Sequence, residues 1–496
     1  MKSMAELRSL FIRPLQSKRF DYNLIVLGAG SAGLVTAYLA ATVKAKVALI
    51  EKDRMGGDCL NSGCVPSKAL LRAARLLADA RRAGELGLRD AEIPFDFAEV
   101  MARVRRVVEQ VAPHDSAERY RGLGVEVIKG AARITAPHTV EVDGRSLTGR
   151  ALVVATGARP FVPPLPGLNH IDYLTSDNLW NLRELPRRLV VLGGGPIGCE
   201  LAQAFARFGS AVTLVELAPR LLIREDEEVS ELLAARFTTE GIRVLTGHRA
   251  QQVRTDGEHH MLICEHGGET VAIPFDRLLV AVGRAPRVEG FGLEELGVEL
   301  SERGTLAADA LLRTNIPSIF CAGDVAGPYQ FTHVAAHQAW HAAVNALFAP
   351  FKTFKVDYRV IPWATFVDPE VARVGLSEQE AKERGIPCEV TRYALSELDR
   401  ALADGAPEGF IKVLTRPGSD KILGATVVGR HAGETITEFV SAMKHNLGLN
   451  RILGTIHIYP TFAEGNKATA GVWKRNHAPQ GLLRWVERFH AWRRGE

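Results

Sequence analysis

The sequence has little cysteine, almost no net charge and no long apolar run free of glycine. Six cysteines in 496 residues are too few for a disulfide scaffold, which belongs to short secreted chains. Sixty-one Lys and Arg against 57 Asp and Glu leave a formal charge of +4. A nucleic-acid binder is disfavoured, because counterion release needs a concentrated basic face. The charge is uneven: residues 1–20 and residues 471–496 are each +4, so the middle is −4. No signal peptide is expected, since basic residues are scattered through residues 1–20 and no sustained apolar core interrupts them. Residues 24–43 carry no charge and are long enough to span a bilayer. They contain Gly28, Gly30 and Gly33, however, and read better as a short strand followed by a helix. The expectation is a cytoplasmic globular protein of about three domains, with 46% hydrophobic and 24% charged residues.

What is present is an internal repeat. Residues 21–27 form an apolar strand, Gly28-Ala29-Gly30-Ser31-Ala32-Gly33 a turn, and residues up to 41 a helix; a second strand runs over 46–50 into Glu51. The grammar returns later: strand 188–192, turn Gly193-Gly194-Gly195-Pro196-Ile197-Gly198, helix 199–208, and strand 211–215 into Glu216. In both copies the acidic residue lies 23 positions after the first glycine. The first glycine permits the tight turn, the second lets backbone approach a pyrophosphate, and the third lets helix pack on strand. Phosphate oxygens then face the N–H groups of a helix N-terminus, and the carboxylate accepts a ribose diol. The sequence predicts two dinucleotide sites.

Two more apolar strands, 151–154 and 278–282, lead into Gly157 and Gly283, where the chain can cross close to a cofactor. Residues 314–324 read as a strand ending in Gly323-Asp324, and Asp324 is placed to receive a ribityl or ribose hydroxyl or else to stand in a surface turn. From about residue 351 the glycine turns stop and strands such as 410–414 and 423–428 alternate with helices, which marks a further domain.

Residues 56–71 read GGDCLNSGCVPSKALL. Cys59 and Cys64 stand just ahead of a helix predicted from Pro66 onward. A helix N-terminus favours the thiolate needed for exchange. Half of a zinc site would need two more ligands at comparable spacing, and two unpaired buried cysteines would need no such position. A redox-active pair is the stronger reading.

With these motifs in hand, the chain resembles a class I pyridine nucleotide–disulfide oxidoreductase, the flavoenzyme family of dihydrolipoamide dehydrogenase, glutathione reductase and mercuric reductase. The resemblance covers nearly all of residues 20–470. It implies an α/β fold with two Rossmann-like dinucleotide-binding domains and an α+β C-terminal dimerisation domain. The layout would be an N-terminal extension (1–20), a first FAD-binding segment (21–157), an NAD(P) domain (158–282), a second FAD-binding segment (283–350), an interface domain (351–470) and a basic amphipathic helix (471–496). Gly28, Gly30, Gly33, Glu51 and Asp324 would hold FAD, and Gly193, Gly195, Gly198 and Glu216 the nicotinamide dinucleotide, with Gly157 and Gly283 as further cofactor-lining glycines. Cys64 would face the flavin and give the thiolate–flavin charge-transfer complex, while Cys59 would be the interchange thiol. Lys68 and Glu200 match an ion pair near the flavin. Each active site of an obligate homodimer would be completed by the partner. Glu216 would repel a 2′-phosphate, so NADH is favoured over NADPH; Arg220, four residues on, could partly offset that repulsion.

The chain departs from the family where a histidine is expected before Pro-Thr. Residues 456–464 read IHIYPTFAE, with Tyr459 at that position and Glu464 retained. Deprotonating an unperturbed tyrosine at pH 7 costs about 4 kcal/mol, from a pKa of about 10 against about 6.5 for histidine. Tyr459 is therefore a poor base. His457, two residues away, would point to the opposite face of an extended segment. The departure weakens the lipoamide and glutathione readings and points toward mercuric reductase, yet the last cysteine is Cys388, so a C-terminal cysteine pair is missing, as is an N-terminal metal-trapping domain. As a disulfide-type oxidoreductase, the chain would pass electrons to a small disulfide or a thiol-bound metal ion, with the acceptor itself left open by the sequence. An NADH:quinone or oxygen oxidoreductase would instead keep turnover after Cys59→Ser, and a redox-sensing flavoprotein would turn over slowly with every acceptor. The terminal run Leu482, Trp485, Val486, Phe489 and Trp492, interleaved with Arg484, Arg488, Arg493 and Arg494, predicts an amphipathic helix. It would pack on its own dimer or, peripherally, on an anionic membrane or a protein partner. Leu7, Leu10, Phe11 and Leu15 suggest the same at the N-terminus.

Overall fold

The computed structural model describes residues 19–89, 91–257 and 259–496; Leu7, Leu10, Phe11 and Leu15 lie outside them. The chain divides into two compact units. One comprises the described residues up to Gly57 together with Ala112–Ala158 and Pro286–Val356, and the other comprises Asp58–Val111, Arg159–Ala285 and Asp357–Glu496.

The first unit is built on a seven-stranded sheet. Strand Tyr22–Leu27 pairs in parallel with Val47–Glu51 on one side and Arg145–Val154 on the other, and Val125–Lys129 extends the sheet beyond Val47–Glu51. The long strand Arg145–Val154 is shared: its N-terminal half pairs antiparallel with Thr139–Val142, and its C-terminal half pairs in parallel with Ile319–Cys321. Leu24 and Val26 face the helices Ser31–Thr42 and Thr332–Phe348, while Ile25 and Leu27 pack on the opposite face with Val140, Leu152 and Ile319. Burial on both faces is why these strands are continuous apolar runs and show no alternation. The uncharged stretch 24–43 accordingly splits into a strand, a glycine turn and a 12-residue helix. That helix rises about 18 Å, well short of a ~30 Å hydrocarbon layer. No helix among the described residues is long and apolar enough to cross a membrane.

The second unit contains three sheets. A four-stranded parallel sheet runs Arg243–Leu245, Ala211–Val215, Arg188–Leu192, Arg277–Val280. A three-stranded antiparallel sheet follows over Arg249–Asp256, His259–His266 and Glu269–Phe275. The third, wholly antiparallel, has five strands in the order Pro362–Thr365, Glu370–Gly375, Ile422–Gly429, Phe410–Thr415, Glu389–Ala394. Its core of Val374, Ile411, Val413, Ala425 and Val427 is closed by Phe439 and Trp473 from the helices Thr437–Lys444 and Glu464–Asn476. Helices Cys64–Arg81, Phe97–Val111 and Pro196–Phe208 share a core of Leu70, Met101 and Phe205. The amphipathic terminal segment does form a helix, Gln480–Arg493, and it buries none of its residues: Leu482, Trp485, Phe489 and Trp492 are all exposed.

Candidate active site

The first glycine turn has the geometry its residue types demand. Gly28 sits at φ +100°, and a Cβ there would lie 2.4 Å from the Ala155 carbonyl oxygen. A Cβ on Gly33 would lie 1.8 Å from the Gly28 carbonyl oxygen, so only glycine lets the helix approach the turn. Helix Ser31–Thr42 begins at Gly30 with no side-chain cap and no acidic residue in its first turn, which leaves its positive end for an anion. The Glu51 carboxylate accepts from Ala29 N–H at 2.6 Å and from Asp53 N–H at 2.7 Å. Gly56 and Gly57 fold back over the turn: Gly56 N–H donates to Ala29 O at 2.9 Å, and a Cβ on Gly57 would meet Gly30 Cα at 2.6 Å. Within the same unit, Gly323 packs against Ala32 beside the half-buried Asp324, and Gly157 stands at φ +68° with open space where a side chain would be.

The second turn repeats this construction atom for atom. Gly193 has φ +114°, and a Cβ on Gly198 would again lie 1.8 Å from the first glycine's carbonyl oxygen. Helix Pro196–Phe208 starts at Gly195 without a side-chain cap, and nothing lies within 4 Å of a Cβ built on Gly195. The Glu216 carboxylate accepts from Gly194 N–H and, at 2.7 Å, from Ala218 N–H. Each glutamate thus binds the N–H one residue after the first glycine and another two residues after itself. Gly283 has φ +137° and open space beyond its Cα. Both cradles would be filled by a Cβ and both helix ends are uncapped, so the residues present fit two dinucleotides.

The cysteine segment is a tight double turn. Cys59 is half-buried in the short helix Gly57–Asn61, and Cys64, exposed, is the first residue of helix Cys64–Arg81. That helix starts two residues before the expected Pro66, which a proline in the first turn permits. Ser62 and Gly63 both donate N–H to the Asp58 carbonyl, at 2.8 and 2.6 Å, folding the chain so that a Cβ on Gly63 would lie 3.5 Å from Cys59 Cα. One turn after Cys64, Lys68 Nζ is 2.9 Å from Glu200 Oε2 and 4.4 Å from the Phe366 ring centroid. Glu200 also accepts from Phe366 N–H at 2.9 Å. An ion pair between Asp58 and Arg284 anchors the same turn to the residue after Gly283. Sequence reading missed it, and the only local signal was the arginine directly after a crossing glycine. Burial raises the thiol pKa of Cys199 and Cys321, and pushes Cys264 up to about 11. Such thiols are inert at neutral pH.

The segment before Pro460 is exposed, with Ile456, Ile458 and Tyr459 presented outward. The Tyr459 hydroxyl donates to Asp399 Oδ2 at 3.0 Å, and that carboxylate raises the phenol's pKa further above its ordinary value. His457 points the other way. Its Nε2 lies 3.0 Å from Glu438 Oε1 and its Nδ1 3.1 Å from Thr455 O, and its side chain is 6% exposed. Glu464, half-buried, opens the helix Glu464–Asn476.

Two dinucleotide turns, a cysteine pair at a helix start and an antiparallel C-terminal domain are the makings of an FAD-dependent oxidoreductase acting between a pyridine nucleotide and a disulfide. The chain belongs to the pyridine nucleotide-disulphide oxidoreductase family, whose profile matches residues 22–339 and whose dimerisation domain matches residues 361–470. It is an enzyme of that family, containing FAD and using NAD(P)H, and the dimerisation domain implies a homodimer. A mercuric reductase from Bacillus cereus is 37% identical over 448 residues, 90% of this chain and 71% of that protein. A dihydrolipoyl dehydrogenase from Thermus scotoductus is 38% identical over 448 residues, 90% of this chain and 95% of the other. Among solved structures, the Cu(II) complex of the HOCl-induced flavoprotein disulfide reductase RclA from Escherichia coli aligns with a TM-score of 0.81 at 28% identity, over 91% of this chain and 99% of that one. LpdA from Mycobacterium tuberculosis aligns with a TM-score of 0.82 at 27% identity, over 90% and 98%.

Proposed function

We propose that the enzyme takes electrons from NADH and delivers them through the Cys59–Cys64 pair to a thiol-bound soft metal ion, with small disulfides as poorer acceptors. Gly28, Gly30, Gly33, Glu51, Gly157 and Asp324 would hold FAD; Gly193, Gly195, Gly198, Glu216 and Gly283 would hold the nicotinamide dinucleotide. The chemistry supplied by a bound flavin is a two-electron relay between the reduced nicotinamide and the cysteine disulfide. Cys64, at the helix start, would face it, and Lys68, neutralised by Glu200, would lie beside it one turn further. Cys59 would attack the acceptor, and the exposed segment 456–464 would complete the partner's site in the homodimer.

The preference for NADH is supported by Glu216, whose carboxylate would receive the ribose and so would repel a 2′-phosphate. Arg220, the one nearby cation weighed against that repulsion, is engaged elsewhere: its guanidinium donates to Glu225 O at 2.6 Å and Ser230 Oγ at 3.0 Å.

This acceptor is supported by one observation: Tyr459, where the family resemblance implies a histidine, is a poor base at neutral pH. Tyr459 is tied to Asp399 with its pKa raised, and both ring nitrogens of His457 are occupied by Glu438 and Thr455. Reducing a disulfide converts the Cys59–Cys64 dithiol to a disulfide and releases two thiols, each of which must be protonated near neutral pH because a free thiol has a pKa of about 8.5. Reducing a divalent metal ion held by two small thiolates also oxidises the dithiol by two electrons. It yields the zero-valent metal and two thiolates, which take up from solution the two protons the dithiol gives off, so no proton has to be delivered at the bond that breaks. The test is an anaerobic NADH titration followed by acceptor turnover. A long-wavelength thiolate–flavin band after two electrons, and turnover with thiol-complexed Hg(II) exceeding that with lipoamide or glutathione disulfide and lost in Cys59→Ser, are expected. Flavin bleaching without the band, or quinone turnover untouched by Cys59→Ser, would remove the cysteines from the electron path.

A further inference from the structure

Arg220 belongs to the loop that wraps the second glycine turn. Leu222 N–H donates to Gly194 O at 2.9 Å, and a Cβ on Gly194 would meet Leu221 at 2.7 Å and Glu216 at 3.0 Å. Arg220 stands four residues after Glu216, the carboxylate that would receive the ribose, yet the hydrogen bonds its guanidinium makes run to other groups. Nη1 donates to Glu225 O and Ser230 Oγ, and Nη2 to Gln379 Oε1.

The acceptor on Gln379 is aimed, not incidental. Its amide nitrogen donates to Glu383 Oε1 at 2.7 Å, which turns Oε1 toward the arginine, and its backbone N–H donates to Asp226 Oδ1 at 3.0 Å. The helix bearing it, Glu378–Glu383, starts with a capping box between Ser377 and Glu380. Its position against the loop is set by Lys412, 2% exposed, whose ammonium lies 2.6 Å from both Asp226 and Glu228 and 3.4 Å from Glu378. On the other side Ser230 Oγ donates to Leu221 O at 2.6 Å, which orients its lone pairs toward Arg220.

We propose that Gln379, with Ser230, is a specificity-determining residue that latches Arg220 away from the ribose 2′ position and so excludes NADPH. The proposal rests on the NADH reading above. Glu216 repels a 2′-phosphate, and the latch withholds the cation that would compensate for it. Arginine is the residue suited to bidentate phosphate recognition, so releasing it adds a favourable contact to the phosphorylated nucleotide alone.

The experiment uses the flavin-loaded dimer and two probes, 2′,5′-ADP and 5′-ADP, with affinities measured by calorimetry alongside kcat/KM for NADPH and NADH. Gln379 is exposed, so Gln379→Ala should fold. It is expected to improve the affinity for 2′,5′-ADP relative to 5′-ADP about tenfold, the scale of one charge-assisted hydrogen bond, and to raise NADPH use in step while NADH changes less than twofold. Gln379→Glu, which restores an acceptor for the guanidinium, should keep the wild-type ratio. Adding Arg220→Ala to Gln379→Ala should cancel the gain, and Arg220→Ala alone should leave the ratio unchanged. An unchanged ratio in Gln379→Ala, a gain that survives in the double variant, or a tenfold loss of 2′,5′-ADP binding in Arg220→Ala alone would each overturn the latch. A wild-type enzyme that already binds 2′,5′-ADP more tightly than 5′-ADP would refute the NADH reading instead, whatever the variants do.

Discussion

Because the two glycine turns are built alike, one substitution made in each should produce two different defects. Gly33→Ala and Gly198→Ala each bring a methyl group to 1.8 Å from the carbonyl oxygen of the first glycine, a rigid backbone atom that cannot swing aside. Relief requires the helix to recede by roughly 1 Å or more, and overpacking of this kind costs about 1–3 kcal/mol in a close-packed interior. Movement of the helix N-terminus would also withdraw the N–H groups proposed to meet the pyrophosphate. If the strain falls on the ligand-bound state, affinity drops by about 5- to 150-fold. Gly198→Ala should therefore purify with a full complement of flavin, measured by absorbance after denaturation, and show a raised KM for NADH with the flavin spectrum unchanged. Gly33→Ala should lose flavin on gel filtration while the protein remains folded by circular dichroism. The assignment of the two turns would be reversed if Gly198→Ala lost its flavin. It would be refuted if both variants kept full flavin and an unaltered KM.

Replacing Lys68 by Met leaves the Glu200 carboxylate, 7% exposed, with the Phe366 N–H as its remaining hydrogen-bond donor. Since Lys68 is 37% exposed, the cost is below that of a fully buried pair, about 1–2 kcal/mol; a Tm lowered by about 1–2 °C is expected, with Lys68→Arg near wild type. Donation to the Trp473 carbonyl and the ion pair with Glu389 raise the pKa of His477, while the Gly418 N–H and His477 lower that of Glu389. The histidine's contribution is present below its unfolded value of about 6.5 and fades as pH rises through the higher folded one; the glutamate's is present above about 4.5 and fades on acidification through its lower folded value. His477→Gln should thus lower Tm at about pH 5.5 and match wild type by about pH 9, and an equal deficit at both would show a pH-independent packing loss. Deleting residues 479–496 removes a helix none of whose residues is buried; Tm and NADH turnover should be unchanged, and a fall of several degrees would show that the helix packs on the rest of the protein.

The features legible in the sequence were those set by backbone geometry over short spans. Gly28, Gly33, Gly193 and Gly198 had to be glycine for reasons that hold in isolation, and the strands around them were apolar because both sheet faces are covered. Boundaries moved where local capping overrode pattern. The strand expected over 314–324 shrinks to Ile319–Cys321 because Thr314 and Ile316 close a turn ahead of it, with Ile319 N–H donating to Ile316 O at 2.9 Å. The long-range partners were invisible to any local pattern. Asp58 and Arg284 are 226 residues apart, Arg220 and Gln379 are 159 apart, and His457, outside any helix, finds Glu438 on the helix Thr437–Lys444. Lys68 and Glu200, 132 apart, were expected from family resemblance alone. No composition or periodicity announces such pairs, because they arise only when the elements have packed.

The ion pair between Lys68 and Glu200 turns two helices into a spacing gauge. Glu200 lies five residues past Gly195 and Lys68 four past Cys64, so each charge stands about 6–8 Å along its own rod from the atom that matters. The separation between the turn at Gly195 and Cys64 is therefore counted in whole helical residues. Loops elsewhere in the chain can lengthen without altering that count. A single inserted or deleted residue within either interval would swing one charge by about 100° around its axis and uncouple the two rods. Length variation among descendants of this chain should accordingly be confined to the segments outside residues 64–68 and 195–200.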